Sequence, residues 1–238
     1  MVVLIVRWPV GRANRKQEAA RELERQQQRA ILQTTVETQE SERIRIARDL
    51  HDEVGALLST VKMSLKLSQR KLAKDGVETS LDESTEMLDS AIGSVRQISH
   101  DLLPPSLESL GICAALAQLA TKTAQLSGIP FECVLIHEPP RLEIRTELTL
   151  YRVVQELISN SLKHSQATER RLDFSFRDSV FTLVFRDNGI GFDLAKVKES
   201  GAGLGLRGME SRVDALGGKL RFETAPGQGF VAEISLGV

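Results

Sequence analysis

The chain has 238 residues, enough to bury the cores of one large domain or two small ones. Hydrophobic residues make up 41% and charged residues 26%, as in an ordinary soluble globular protein. A net charge of -1 gives no long-range field that would attract nucleic acid, so direct nucleic-acid binding is not expected. The two cysteines cannot build a metal site by themselves, and without a signal-peptide layout they indicate a reducing, cytoplasmic compartment.

The N-terminus begins with an apolar run, Met1 to Val6, followed by Trp8 and several arginines. A run this short cannot cross a bilayer, which takes about 20 residues in a helix. Two interpretations stay open. The segment is either a disordered tail or the end of a transmembrane helix, which would place a membrane anchor N-terminal to this chain.

Residues 15–40 are rich in Gln, Glu and Arg and contain neither Pro nor Gly, which predicts a helix. Apolar residues are sparse in this segment, so it is either a weak coiled coil or a solvated single helix. We therefore predict that residues 1–40 form an N-terminal stub and a signalling helix.

The next segment, 41–108, is predicted to be a helical hairpin that forms a dimer. Apolar residues recur at spacings of three and four on both sides of Asp75-Gly76, and Pro104-Pro105 ends the second run. The two seams are Ala47, Leu50, Val54, Leu57, Val61, Leu65 and Leu81, Ser84, Leu88, Ala91, Val95, Ile98, Leu102. One hairpin buries only one side of each seam, so we predict a homodimeric four-helix bundle.

His51 lies at the edge of the first seam and is a candidate nucleophile. A surface histidine is the commoner interpretation of a single histidine on a helix. Asp52 follows directly and could orient or deprotonate the imidazole, which is substantially neutral at cell pH. Arg43, Arg45 and Arg48 occupy the preceding turns, where a phosphate could be held.

The last segment, 109–238, alternates helical and strand patterns. Helices are predicted at 112–126, 143–163 and 207–216, and strands at 131–136, 172–176, 181–185, 220–224 and 230–236. The order predicts one layer of helices on one mixed sheet, an α/β sandwich.

The long helix of this segment carries a polar stripe formed by Arg152, Glu156, Asn160, Lys163 and His164. Such a stripe usually faces solvent. However, an Asn carbonyl suits Mg²⁺, and Lys and His side chains suit phosphate.

Two glycine-rich turns follow the stripe. In Asp187-Asn188-Gly189-Ile190-Gly191, the aspartate could accept a hydrogen bond from an adenine amino group. The turn Gly201-Ala202-Gly203-Leu204-Gly205 leads into a helix, where backbone N–H groups could cradle phosphates. Each turn alone is a weak signal, and neither fits a Walker or Rossmann loop.

The combination of motifs in this order is specific. E-R-I-R-I-A-R-D-L-H-D, 42–52, resembles the phosphoacceptor helix of histidine kinases related to nitrate and membrane-fluidity sensors. E-L-I-S-N-S-L-K-H, 156–164, D-N-G-I-G-F, 187–192, and G-A-G-L-G-L-R-G-M, 201–209, resemble the N, G1 and G2 boxes of Bergerat-fold ATPases. The resemblance covers residues 40 to 236, and the phosphoacceptor motif separates kinases from the chaperone, topoisomerase and mismatch-repair relatives.

The resemblance implies that His51 attacks the γ-phosphate of ATP with Asp52 as base, and that Asn160 binds Mg²⁺. The phosphoryl group would then pass to an aspartate of a response regulator, usually one with a helix-turn-helix output domain. The implied nucleotide-binding residues are Glu156, Asn160, Lys163, His164, Asp187, Gly189, Gly191, Gly201, Gly203, Leu204 and Gly205, with a short lid over 193–200.

Two positions depart from the family pattern. Ala56 replaces a glutamine often found five residues after the histidine, which puts phosphatase activity in doubt. Phe230 follows Gly229 where many relatives have threonine, which puts one water-mediated adenine contact in doubt. Two other functions remain open: a Bergerat-fold ATPase with Glu156 as base for water, and a non-catalytic coiled-coil scaffold.

Overall fold

The computed structural model describes residues 27, 30, 31, 34, 35, 38–74, 80–137, 139–199 and 203–237. The predictions for the apolar N-terminus, for most of 15–40 and for the Asp75-Gly76 turn lie outside these residues. The described positions between 27 and 38 are helical. Among all described residues, no helix is both long and apolar enough to cross a membrane.

The N-terminal half is a helical hairpin, as predicted. Helix α1 covers 38–49, passes through a π-helical turn at Leu50–Val54 and continues over Gly55–Lys74. Helix α2 spans Asp82–Leu102. In the π turn the Gly55 amide donates to the Leu50 carbonyl, five residues back. Because such a turn holds an extra residue, the parts of α1 before and after it differ in helical register.

The hairpin divides each predicted seam between a covered and an uncovered side. Leu65, Leu88 and Val95 are half-buried between the helices, and Ile92 is buried. Apolar side chains left exposed are Val54, Leu57 and Val61 on one face of α1, Met63 and Leu67 on another, and Met87 and Ile98 on α2. This exposed apolar surface is what a hairpin that pairs with a second copy would present, and the homodimer remains a prediction.

A short helix that the sequence did not predict connects the two halves. Helix α3 spans Pro105–Leu110 and begins with proline at its first position, where the missing N–H costs no hydrogen bond. Gly111 then turns the chain with φ +89°, and α4 begins at Ile112. The predicted domain border between 108 and 109 falls inside α3 and remains a prediction.

Arg141 attaches α3 to the second half of the chain. Its Nη2 donates to the carbonyl oxygens of Leu107 at 2.6 Å and Glu108 at 2.8 Å. Its Nε lies 3.1 Å from Oε1 of Glu147, whose side chain is 1% exposed. Burial raises the pKa of Glu147, while Arg141 and the backbone N–H groups of Leu142 and Ile112 oppose that rise. The buried Glu147 carboxylate therefore binds the start of α4 and the loop before the next helix, and through Arg141 it also holds α3.

The C-terminal half is the predicted layer of helices on a mixed sheet. The sheet order is β1-β2-β3-β5-β4, in which β1 and β2 are parallel and the other pairs antiparallel. The elements are α4 Ile112–Ser127, β1 Phe131–Leu135, α5 Ile144–Asn160, β2 Arg170–Arg177, β3 Val180–Asp187, α6 Leu194–Glu199, α7 Leu204–Ala215, β4 Lys219–Thr224 and β5 Phe230–Gly237.

The core lies between α5 and the sheet. Alternate strand residues face it, such as Leu172, Phe181 and Ile234, which are fully buried. Along α5, Leu148, Val153, Val154, Leu157 and Ile158 are buried, whereas Leu162, the next apolar residue of the repeat, is 48% exposed. That residue lies in a second π-helical turn, Ser161–Ser165, which ends the helix and changes the direction of its side chains.

The exposed seam generates a test of the predicted dimer. Leu57→Glu would place a carboxylate in the interface, which costs several kcal/mol unless the charge is paired. We expect light scattering at micromolar concentration to report a dimer for the wild type and a monomer for Leu57→Glu. Met63→Glu is the control, because Met63 is equally exposed but lies two positions from Val61 and so on another face of α1. A wild-type monomer would contradict the dimer.

Candidate functional site

His51 lies in the π-helical turn of α1 with its side chain 64% exposed. Its Nδ1 is 2.9 Å from Oδ1 of Asp52. An ionised carboxylate can only accept a hydrogen bond, so Nδ1 carries the ring proton and Nε2 keeps its lone pair. The pair therefore presents Nε2 as a nucleophile, with the carboxylate ready to stabilise or accept the Nδ1 proton.

The three arginines that precede His51 are not free. Arg43 Nη1 lies 3.0 Å from Glu40 Oε1, and Arg45 pairs with both Glu42 and Asp49. Arg48 bonds across the structure to Glu108 of α3, with Nη2 at 2.7 Å from Oε1. In this conformation a phosphate on His51 would have to compete with these carboxylates for the arginines, and the prediction that they hold a phosphate stays a prediction. The sequence did not show Glu108 as a partner, since it lies far along the chain.

A cavity of about 490 Å³, the α5 cavity, opens between α5, the end of β3 and the start of α7. Its polar wall comprises Glu156, Asn160, Ser161, His164, Ser165 and Asp187. Its apolar wall comprises Leu157, Ile190, Phe192, Val197, Leu206 and Phe230. A deep, mainly apolar cleft with a few convergent polar groups is the usual form of a small-molecule site.

The structure brings together most of the predicted nucleotide-binding residues. Besides the polar wall, Gly191 and Gly205 line the cavity. A Cβ at Gly205 would lie 3.2 Å from Glu156 Oε1 and 3.9 Å from Asn160 Nδ2, so the start of α7 closes against both side chains. Gly203 is buried at the N-terminus of α7. Gly201 and the side chain of Leu204 lie outside the described part of the chain.

Two members of the polar stripe do not line the cavity. Lys163 is exposed on the second π turn and is not among the lining residues. Arg152 binds the hairpin instead, where Nη2 donates to the carbonyl oxygens of Asp101 and Leu102 at the end of α2. Burial lowers the pKa of Arg152 below its ordinary value. The stripe thus serves two purposes, and only part of it belongs to the cavity.

Asp187 is held at the inner end of the cavity. It is 7% exposed, and its Oδ1 accepts a hydrogen bond from the Gly189 amide at 2.9 Å. Its cross-strand neighbour is Arg170, which is 2% exposed and donates from Nε to Ser161 Oγ at 2.8 Å. Burial lowers the pKa of Arg170, and the charge of Asp187 partly offsets this. No signal in the sequence indicated that the residue beginning β2 is a buried cation behind this carboxylate.

The two glycines of this turn are required by close backbone approach. A Cβ at Gly189 would lie 2.2 Å from the Ser165 carbonyl oxygen. Gly191 has φ +59°, and a Cβ there would lie 2.1 Å from the Ala225 carbonyl oxygen. The Ser165 carbonyl also accepts from the Ile190 amide at 2.8 Å, which ties the end of α5 to the turn.

The Asn160 amide oxygen and the Glu156 carboxylate are hard oxygen donors one helical turn apart on the same wall, the type that Mg²⁺ prefers. They fit a metal whose remaining ligands are phosphate oxygens and water. Within the described ranges no group of three or more His, Cys, Asp or Glu side chains converges, so the protein alone supplies no complete metal cage there.

A second cavity of about 320 Å³, the hairpin cavity, lies at the base of the hairpin. It is lined by Ala47, Arg48, His51, Asp52, Ser99, His100, Leu103, Pro105, Glu108 and Ser109. None of these residues also lines the α5 cavity. In this conformation the candidate nucleophile and the candidate nucleotide site therefore occupy separate openings.

Comparison with known proteins identifies both halves. Residues 42–107 match the family model described as "Histidine kinase", and residues 145–238 match the model described as "Histidine kinase-, DNA gyrase B-, and HSP90-like ATPase". Together the two segments cover more than half of the chain.

Several similar curated proteins are named as histidine kinases. The chain is 35% identical over 206 residues to "Sensor histidine kinase ComP" of Bacillus subtilis, covering 83% of this chain and 26% of that protein. It is 34% identical to "Signal transduction histidine-protein kinase/phosphatase DegS" of the same organism and 29% identical to "Oxygen sensor histidine kinase NreB" of Staphylococcus carnosus. These matches cover 82% and 90% of this chain, and 52% and 61% of the relatives, so the chain spans only part of their length.

Among solved structures, the histidine kinase domain of the Erythrobacter litoralis EL346 blue-light activated histidine kinase matches with a TM-score of 0.50 and 14% identity. The match covers 84% of this chain and 94% of that domain and supports the fold. The motifs, the two matched segments in this order and the fold lead to one conclusion: the chain belongs to the histidine kinase family.

Proposed function

We propose that this chain is the kinase portion of a sensor histidine kinase, which phosphorylates His51 with ATP and passes the phosphoryl group to an aspartate of a response regulator. The observation that carries the proposal is the hydrogen bond of His51 Nδ1 to Asp52, which leaves Nε2 without that partner on a side chain that is 64% exposed. A Bergerat-type ATPase that hydrolyses ATP has no use for such a pair on a separate hairpin.

The α5 cavity is the proposed ATP site. Asp187, an acceptor that is almost wholly buried, would accept from the adenine amino group, and Phe192 and Phe230 would provide apolar contact. Their rings stack with centroids 5.8 Å apart, so Phe230 extends an apolar wall where a hydroxyl is common in relatives. His164 and Gly205, near the start of α7, also line the cavity and would lie beside the phosphates, and Lys163 would have to change rotamer to reach them.

Asn160 and Glu156 would hold Mg²⁺, and the bound ion would neutralise part of the negative charge on the ATP phosphates. His51 Nε2 forms a bond to the γ-phosphorus while the bond from that phosphorus to the bridging oxygen of ADP breaks. Asp52 stabilises or takes the Nδ1 proton, so the phosphorylated ring need not carry an unbalanced positive charge.

The separation of the two cavities requires a rearrangement before transfer. Either the ATP-binding half moves relative to its own hairpin, or it meets His51 of a second copy in the proposed homodimer. A response regulator, usually one with a helix-turn-helix output domain, is the proposed receiver. The full-length protein is proposed to act in the cytoplasm.

The primary test is labelling with radioactive ATP. We expect a label that is stable in base and lost in acid, as for phosphohistidine. His51→Gln should abolish the label and leave ATP affinity near that of the wild type. His137→Gln is the control, because His137 is exposed and lines neither cavity. ATP hydrolysis without a covalent label would favour the ATPase, and a label retained by His51→Gln would show that another residue is the acceptor.

A second test concerns adenine. Asp187→Asn removes a charge-assisted hydrogen bond worth about 1.5–3 kcal/mol, which corresponds to about ten- to a hundredfold weaker ATP binding by calorimetry. Asp178→Asn is a matched control. Asp178 lies in the turn between β2 and β3 with φ +50°, a conformation that asparagine also tolerates. Unchanged affinity in Asp187→Asn would remove this residue from the site.

A third test concerns Ala56. Hydrolysis of the regulator's aspartyl phosphate needs a positioned water, and a methyl group cannot hold one. The nearby hydroxyls are already bonded within α1, Ser59 to the Gly55 carbonyl at 2.8 Å and Thr60 to the Ala56 carbonyl at 2.9 Å. We therefore expect little phosphatase activity.

The measurement is the decay of purified phosphorylated regulator with and without this protein plus ADP. Ala56→Gln should accelerate the decay severalfold relative to wild type. A fast decay with the wild-type protein that Ala56→Gln leaves unchanged would contradict the expectation.

A further inference from the structure

The hairpin cavity brings His51 beside two other basic side chains, Arg48 one turn earlier on α1 and His100 near the end of α2. The side-chain hydroxyl of Ser99 donates to the Ala47 carbonyl at 2.8 Å, which holds α2 against α1 at this point. Three basic groups from two helices therefore surround one opening of about 320 Å³.

Arg48 is occupied by a carboxylate at the edge of this cavity. Its Nε and Nη2 lie 2.8 and 2.7 Å from the same oxygen of Glu108. The two side chains are 51% and 45% exposed, and an ion pair this open to solvent contributes little net stability. The pair is therefore easily exchanged for a stronger one.

His100 is the second available donor. Among the described residues, its ring has no hydrogen-bond or ion-pair partner, although it lines the cavity. An imidazole carries at least one N–H in either charge state, so His100 can donate to an anion in the cavity whether or not it is protonated.

We propose that the hairpin cavity is the binding site for the phosphoryl group on His51 Nε2, with Arg48 and His100 as its donors and Glu108 as the group that it displaces from Arg48. This inference rests on the proposed function. A phosphoryl group brings about two negative charges and three acceptor oxygens to the cavity, against one charge from Glu108. Once it is attached one turn from Arg48, it is the stronger partner for the guanidinium.

The exchange gives opposite expectations for the two members of the ion pair. Without the Glu108 carboxylate, Arg48 has no competing partner in the free protein. The phosphorylated form is therefore stabilised relative to the free form. Without Arg48 or His100, the phosphorylated form loses a donor. The quantity to measure is the equilibrium of autophosphorylation, the ratio of phosphorylated to free protein at fixed ATP and ADP, approached from both directions.

We expect Glu108→Gln to raise this ratio about two- to fivefold, the size expected from releasing an exposed ion pair. Arg48→Gln and His100→Leu should each lower it about three- to tenfold, and Arg48→Lys should recover part of the loss. Asp89→Asn is the matched control. It breaks the ion pair between Asp89 and Lys62, which also joins α1 to α2 but lies outside the cavity, and it should leave the ratio unchanged.

The outcomes separate this inference from the function on which it rests. A wild type that accepts no phosphoryl group from ATP overturns the proposed function, and the site with it. A wild type that is labelled while Glu108→Gln, Arg48→Gln and His100→Leu keep its equilibrium ratio overturns only the site. A folding defect cannot mimic the expected result, because Glu108→Gln must raise the ratio while its ion-pair partner lowers it.

Discussion

The packing of α5 against the sheet positions every other part of the C-terminal half. Val153, Val154, Leu157 and Ile158 are almost completely buried on one side of the helix. Burial of each such side chain stabilises the fold by about 1.5–3 kcal/mol, so the rotation of α5 about its axis is strongly fixed. With the rotation fixed, Glu156 and Asn160 face the cavity, and Arg152 faces the carbonyl groups that end α2. One apolar face thus determines both the binding wall and an attachment to the hairpin.

Much of this architecture could be predicted from sequence because it depends on local periodicity. The alternation of Phe181, Leu183 and Phe185 defines a strand, and the polar Asp178-Ser179 pair between two such runs defines a tight hairpin. The glycines at 189 and 191 were assigned to a turn, and the structure shows the carbonyl oxygens that leave no room for a Cβ. The cavity-lining positions on α5 were predicted from the helical repeat in the same way.

The features that were missed depend on contacts between distant segments or on departures from a regular helix. Glu108 pairs with Arg48 across 60 positions, and Arg170 lies buried behind Asp187, neither of which has a local signature. The two π-helical turns add a residue to a helical turn, so a regular repeat places Leu162 and Lys163 on the wrong side. A six-residue helix such as α3 is too short to show a repeat, and the proline that begins it is equally typical of a chain that has stopped being helical.

Helix α3 also bears on how the two halves meet. Its two ends are fixed, by Pro104-Pro105 on one side and by Gly111 with φ +89° on the other, and Arg141 binds the carbonyl groups of Leu107 and Glu108. Because this connector is helical, its residue count sets an angle as well as a distance. Each residue added or removed would rotate the C-terminal half by about 100° about the helix axis and shift it by about 1.5 Å. In the proposed homodimer, the residue count of this one helical segment would therefore bear on which of the two His51 side chains the α5 cavity faces.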